Sequence, residues 1–386
     1  MGYGRFLFTA TLPDIMTQLT LSTAVAGWLA SVNYIGYFIG ALIAMFVPQR
    51  RTFEALMIGM ALSITTTTLL AVPNLYLSAW YIIRLLAGIA SGVGMILGSS
   101  FIIQQFSLAR RSLLSTVHYA GIGTGISASA ILTWWLLTLG YHFDMIWLVA
   151  GISSLPLIVL LYAIRPIKTA AMKSQSPLKY PSIQQIYINF KRSLYEAIVG
   201  HTKAVALLSA SYVLAGFGYI TSATFLPVMA TQQLTNQTYA GLLIWLIVGI
   251  FAMLSNPLWG ALAKRIGEIN TLIGLTVLQA IGMIMPSLFE GALGLYSNAA
   301  ILGATFVGMV SMTLNIIKNI NPAYSNLLMG MATLAYAVGQ FIGPLVTVAL
   351  AGQGDDFNAG LMVAGIGLIV GLILLILFRR QPQKAG

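Results

Sequence analysis

Two arginines, Arg5 and Arg84, stand inside long apolar runs, whereas the other seventeen of the 19 Lys and Arg residues lie between such runs. The eight Asp and Glu residues fall at, near or beyond the ends of the runs, so neither arginine has a carboxylate beside it in sequence. A guanidinium in a hydrocarbon environment costs several kcal/mol, about 2.5–3.5 on insertion scales, and so faces a cavity or a partner. Two such groups without a countercharge form a positive site. A carboxylate, phosphate or sulfonate on a substrate would supply the missing charge and could be held bidentately. The competing chemistry is structural: each arginine bonds backbone carbonyls or hydroxyls and braces its helices.

Polar and aromatic side chains recur near both arginines at helical spacing. Tyr3, Phe6 and Thr9 are three residues apart, as are Tyr219, Ser222 and Phe225, and Asn33, Tyr34 and Tyr37 follow in the second run. Each could touch a substrate or simply pack. Tyr3, Phe6, Thr9, Asn33, Tyr37, Tyr219 and Ser222 join Arg5 and Arg84 as candidate substrate-binding residues. His118, inside a run, is the one such side chain able to titrate near neutrality. It is either a carrier of a coupling proton or a satisfied core histidine. His142 and His201 lie far from it, no metal-ligand spacing occurs, and no cysteine is present. No Gly-x-x-x-x-Gly-Lys-Ser/Thr loop occurs, so ATP does not drive the protein directly. No catalytic constellation, cofactor site or metal site is legible.

The elements that must position these residues are set by composition. Of 386 residues, 58% are apolar and 7% charged, and mean hydropathy is +0.89. A soluble domain carries about 25% charge, which excludes that class, and disorder requires a polar chain. The pI of 9.8 would suggest nucleic acid, but the basic residues sit in loops. A bilayer core of about 30 Å needs about 20 apolar residues per helix. The runs predict twelve spans, at 2–18, 23–47, 54–72, 75–105, 112–138 and 144–165, then 203–230, 237–262, 270–288, 291–317, 322–351 and 357–378. They are too long and too little alternating for a β-barrel.

Loops after the even-numbered spans and the C-terminal tail hold all seventeen remaining basic residues, and the opposite loops hold none but carry Asp14, Asp144, Glu290, Asp355 and Asp356. By the excess of Lys and Arg on the inner side, both termini are cytoplasmic. The longest loop, 166–202, contains Ile183, Ile186, Tyr187, Phe190, Leu194 and Ile198 at helical spacing among Lys and Arg. That pattern predicts a basic amphipathic helix on the inner leaflet. It separates an N-terminal six-helix bundle, 1–165, from a C-terminal one, 203–386. Gly pairs four apart, Gly36/Gly40, Gly88/Gly92, Gly94/Gly98, Gly121/Gly125 and Gly339/Gly343, predict close helix crossings.

The halves repeat. Gly2-Tyr3-Gly4 through Leu12-Pro13 matches Gly216-Phe217-Gly218 through Leu226-Pro227, and Ala26-Gly27 matches Ala240-Gly241 at the same offset. Thr116 to Ala120 matches Thr333 to Ala337. Such parallel repeats are the plan of transporters with two bundles about an axis along the membrane normal. Arg5 then aligns with Tyr219, about 16 Å from the outer face, and Arg84 lies about 13 Å into its span. Both are near the midplane. The seventh span begins about a dozen residues before its Gly216, while only Met1 precedes Gly2, which leads to the expectation that the first helix is truncated.

This plan resembles the major facilitator superfamily. Arg84 to Gly92 resembles its fourth-span Arg-x-x-x-Gly motif, Gly260 to Gly267 its loop motif after the eighth span, and Gly339 to Pro344 its eleventh-span Gly-x-x-x-Gly-Pro element. Lys264 stands where the loop motif has Asp, and the Gly40–Arg51 copy lacks both the Asp and the closing Gly. More narrowly, Gly2 to Pro13 and Ala26 to Tyr37 resemble the YbfB/YjiJ-type transporters, with Ala10 in place of a Pro. The resemblance implies an all-α integral membrane protein with twelve transmembrane helices in two pseudo-symmetric six-helix bundles. It implies a secondary transporter in the inner membrane of a bacterium, acting by alternating access on a small organic solute, with a lean towards export, and a monomer is expected; the lack of a membrane carboxylate to neutralise a cation favours an anionic or polar solute. Membrane lipid is its other partner, and no nucleic acid is expected. An uptake symporter and a non-transporting sensor or receptor on the same fold are the alternatives.

Overall fold

Backbone N–H and C=O groups in hydrocarbon have no water to bond, so a spanning chain must satisfy them internally. A computed structural model describes residues 2–105, 108–165, 183–352 and 356–381, and among these every regular element is helical. A π-helical turn, Gly2–Phe6, runs into α1, Leu7–Gln18. Then come α2 (Thr23–Met45), α3 (Thr52–Leu69), α4 (Leu77–Gln105), α5 (Leu108–Thr138), α6 (Phe143–Ser153) and α7 (Leu155–Ala163). The second half comprises α8 (Ile183–Ile198), α9 (Thr202–Gln233), α10 (Ala240–Ile266), α11 (Glu268–Leu288), α12 (Ala292–Ile320), α13 (Ser325–Ala351) and α14 (Asn358–Arg379).

Eleven stretches among the described residues are long and apolar enough to cross a membrane. The predicted first span is the one that falls short, since its five π-helical and twelve α-helical residues give little more than half the length of α9. The predicted sixth span is α6 and α7 together, interrupted at Ser154. Pro156 follows, and with no N–H it cannot continue the α6 hydrogen-bond ladder.

The packing follows the small residues. A Cβ on Gly36 would lie 2.1 Å from the Leu85 carbonyl oxygen, and one on Gly88 2.0 Å from that of Asn33. α2 and α4 thus cross backbone to backbone. Gly339 brings α13 equally close to Val213 of α9. Gly94 and Gly121 depart from the expected pattern, since a Cβ on either would meet nothing within 4 Å. Contacts between the halves run chiefly α2 to α13 and α5 to α10. The internal repeat exchanges these two interfaces, as it exchanges the position of α3 between α4 and α6 with that of α11 between α12 and α14.

The loop residues sort to two faces. Arg50, Arg51, Lys264 and Arg265 mark a basic face, and Glu290 and Asp356 the opposite, acidic face. Gly267 alone turns α10 into α11 at φ +87°, a left-handed conformation that suits glycine. Asp14, sorted by the sequence with the loop acids, instead lies within α1. Its Oδ2 accepts the backbone N–H of Phe143 at 2.8 Å, and its Oδ1 lies 3.3 Å from His142 Nδ1, tying α1 to the start of α6.

The helix expected between the halves is α8, and part of its apolar side faces protein. Phe190 packs on Phe46 at 5.3 Å between ring centroids. Asn321 Nδ2 donates to the carbonyls of Glu196 and Ala197, and Tyr324 donates its hydroxyl to Glu196. Ile188, Tyr195 and Val199 remain exposed. Lys168, Lys173, Lys179, Asp355 and Lys384 lie outside the described residues, as do the side chains of Arg110, Arg111, Ile183, Ile186 and Tyr187.

Candidate functional site

Where the halves meet, a cavity of about 860 Å³ opens at the basic face. Its mouth is bounded by the end of α2 at Pro48 and Gln49, by Asn189, Phe190 and Ser193 of α8, and by the start of α13 at Ser325 and Asn326. It closes about halfway through the bundle. The residues at its closed end are Arg5, Tyr37, Tyr219, Phe306, Tyr336 and Gln340. Each lies eleven to fifteen residues from the acidic-face end of its helix, a depth of about 17–23 Å.

Arg5 is the sole Lys, Arg, Asp or Glu among the described residues lining the cavity. Its guanidinium carbon sits 4.6 Å from the ring centroid of Tyr37, 4.9 Å from that of Tyr34 and 5.6 Å from that of Phe6. The ring faces carry negative quadrupole potential and attract the cation, but they accept no strong hydrogen bond. Nε and Nη2 of Arg5 are buried without a hydrogen-bond partner. A buried donor left unpaired costs about 1–3 kcal/mol, more when charged; Nη1 of Arg84 is also unpartnered, but that residue does not line the cavity.

Arg84 sits differently. It is 1% exposed and does not line the cavity. Its Nε donates to the Leu29 carbonyl at 3.3 Å, and its guanidinium carbon lies 4.0 Å from the Phe8 ring centroid. Asn33, fully buried, donates from Nδ2 to the Arg84 carbonyl at 2.8 Å. The two arginines therefore do not share one wall.

Of the other residues singled out by spacing, Phe6, Tyr37 and Tyr219 line the cavity with Arg5. Ser222 donates to Asn298 Oδ1 at 2.6 Å inside the second half, and Asn298 Nδ2 donates on to the Gly282 carbonyl. Thr9 is buried within α1, and Tyr3 packs half-buried on the core. His118 lies beside the cavity wall, with Nε2 3.2 Å from Ser99 Oγ, while Ser99 also donates to the Met95 carbonyl at 3.0 Å. The serine has one proton, so with that proton on Met95 it accepts from His118 Nε2–H.

The spacing argument missed Gln340, Tyr119, Tyr212, Tyr336 and Phe306, all of which line the cavity. Phe306, Tyr219 and Tyr336 form a near-parallel column, with centroids 4.6 Å and 6.3 Å apart, and Tyr212 stacks on Tyr336 at 4.5 Å. A signal was available. Arg5 and Tyr219 match across the repeat, as do Tyr119 and Tyr336, and all four line the cavity.

A family model described as "Uncharacterised MFS-type transporter YbfB" matches residues 1–376. A protein of Bacillus subtilis (strain 168), described as "Uncharacterized MFS-type transporter YceJ", is 25% identical over 394 aligned positions, covering 98% of this chain and 93% of that protein. The helices provide the multiple membrane crossings such a transporter needs, and the cavity between the halves provides a place for a small molecule. The chain belongs to the YbfB-type family of major facilitator superfamily membrane transporters.

Proposed function

We propose that this protein is a secondary active transporter that moves a small organic anion by alternating access, with Arg5 as the group that receives the anionic end. The observation that carries this reading is the pair of unpartnered, buried N–H groups of Arg5 at the closed end of the cavity. In the proposed arrangement twelve spans form two six-helix bundles, 1–165 and 203–386, joined by the cytoplasmic segment 166–202. The basic face is cytoplasmic, both termini included, so the cavity is inward-open. The protein works as a monomer in the inner membrane of a bacterium, and export is the favoured direction. Arg84 braces α2 against α4. His118, one hydrogen bond from the cavity-lining Ser99, is the candidate carrier of a coupling proton.

The experiment is counterflow in proteoliposomes with a panel of labelled organic anions and organic cations. Accumulation of at least one anion, none of any cation, and loss of the signal in Arg5→Gln are expected. Accumulation that survives in Arg5→Gln overturns the assignment. Binding of an anion without counterflow replaces the transporter by a receptor on the same fold.

A further inference from the structure

The substrate class can be narrowed by Gln340, a residue of the second half that faces the same closed end as Arg5. Gln340 is 1% exposed and lines the cavity, and neither its Nε2 nor its Oε1 has a hydrogen-bond partner. A buried primary amide with both ends unpaired is costly, because each group has given up water for nothing. Its position is well defined. Gly339, its neighbour, lies so close to α9 that a Cβ there would be 1.9 Å from the Val213 carbonyl oxygen. Tyr336, one turn earlier on α13, stacks on Tyr212 and Tyr219. Gln340 lies eleven residues before Ala351 and Arg5 thirteen before Gln18, so the two stand at about 17 Å and about 20 Å from the acidic-face ends, nearly level.

Three features of the closed end then specify one ligand chemistry. A single positive charge matches a single negative charge, since the second charge of a dianion would stay uncompensated in a low-dielectric site. The rings of Phe306, Tyr219 and Tyr336 stack on one another and line the closed end, so an aromatic body would meet them edge to face, a favoured ring geometry. The Gln340 amide offers one donor and one acceptor together, which complement a neutral group that both accepts and donates.

We infer that the cavity takes a planar aromatic monocarboxylate whose far side carries a neutral amide-like group, the carboxylate on Arg5 and the amide-like group on Gln340. This rests on the anion-transporter reading above. In this arrangement Gln340 determines specificity: it makes the site prefer the amide-bearing acid over the plain one by one hydrogen bond, about tenfold when the alternative leaves a buried group unpaired.

The test is equilibrium binding to the purified full chain in lipid nanodiscs, with benzoate, 4- and 3-carbamoylbenzoate, terephthalate and cyclohexanecarboxylate as probes. The expected result is that one carbamoylbenzoate binds about tenfold tighter than benzoate, with terephthalate and cyclohexanecarboxylate weaker than both. Gln340→Met, close in volume and without the amide, brings the ratio to near one. An unchanged ratio in Gln340→Met overturns the inference, and so does terephthalate or cyclohexanecarboxylate binding as tightly as the carbamoylbenzoates. If Gln340→Met does not fold, the ranking of the five probes on the unaltered protein decides alone. Benzoate bound, lost in Arg5→Gln, and never discriminated from the carbamoylbenzoates leaves the anion reading standing and removes this one. If no probe binds, the inference falls, while the counterflow panel still decides the anion reading.

Discussion

Arg84 and Asn33 hold two helices together through each other's surroundings. Asn33 Nδ2 donates to the Arg84 carbonyl at 2.8 Å, and Arg84 Nε returns a bond at 3.3 Å to the carbonyl of Leu29, one turn before Asn33 on α2. Both side chains are buried, and the glycines at Gly36 and Gly88 let the backbones approach closely enough for these bonds. A brace of this kind predicts that Arg84→Lys lowers the thermal midpoint of the purified protein, because a lysine loses both the Nε donor and the planar stack on Phe8. The lost hydrogen bond and the unpaired carbonyl together are worth about 1–3 kcal/mol. Anion affinity should change little. The reverse pattern, an unchanged midpoint with lost affinity, would return Arg84 to the binding site.

Arg5 makes the opposite prediction. Arg5→Lys keeps the charge but removes the planar fork that could take both carboxylate oxygens. Anion affinity should fall about tenfold or more in Arg5→Lys and beyond detection in Arg5→Gln, both measured by the nanodisc assay. The folded yield should hold in Arg5→Lys, which keeps a cation over the Tyr34 and Tyr37 rings.

The glycine pairs separate into those that pack and those that do not. Gly88→Ala places a Cβ 2.0 Å from the Asn33 carbonyl oxygen, so α2 and α4 must move apart. A destabilisation of about 1–3 kcal/mol or more is expected from such overpacking. Gly94→Ala, six residues along the same helix and facing open space, should leave the midpoint unchanged or raise it slightly. Equal midpoints for the two variants would refute the close crossing.

The seating of α8 at the cavity mouth should depend on pH. The hydroxyl of Tyr324 and then the guanidinium of Arg192 hold the Glu196 carboxyl below its ordinary value. A carboxylate depressed in the docked state contributes docking stability at neutral pH and loses it as pH falls through that depressed value. Amide hydrogen exchange in α8, corrected for the intrinsic pH dependence, should show protection at neutral pH and less at acid pH. Tyr324→Phe should flatten that difference.

His118 can be tested through transport. If it carries the coupling proton, His118→Ala removes the pH dependence of proteoliposome transport while anion affinity at fixed pH persists. A pH dependence equal to that of the unaltered protein would leave His118 as a structural partner of Ser99.

The helices, and part of the cavity lining, were legible in the sequence. The hydropathy runs located the helices to within a few residues, as with 291–317 against Ala292–Ile320, because apolar length is a local property. Helical spacing pointed at Arg5, Phe6, Tyr37 and Tyr219, which line the cavity, whereas Tyr119 and Tyr336, though matched to each other across the repeat, were not singled out. Gln340 was read only as part of a Gly-x-x-x-Gly-Pro packing element. Glutamine has no charge and no special spacing, and its isolation from hydrogen-bond partners exists only once neighbouring helices surround it.

The sequence by itself determined the class of protein, the two faces and the presence of two guanidiniums inside long apolar runs. Each of these follows from composition and order along the chain. In one dimension Arg5 and Arg84 are equivalent: each is a lone cation in an apolar run at similar depth. Tertiary structure alone decided between them. The rotation of α4 about its axis, set by the glycine crossing with α2, turns Arg84 onto the Leu29 carbonyl and the Phe8 ring. The packing of the π-helical turn Gly2–Phe6 against α3, α4 and α5 places Arg5 on the cavity, whose closed end is also lined by Gln340 of the other half. Helix rotation is fixed by which side chains interlock across an interface, and no property of a single helix contains it.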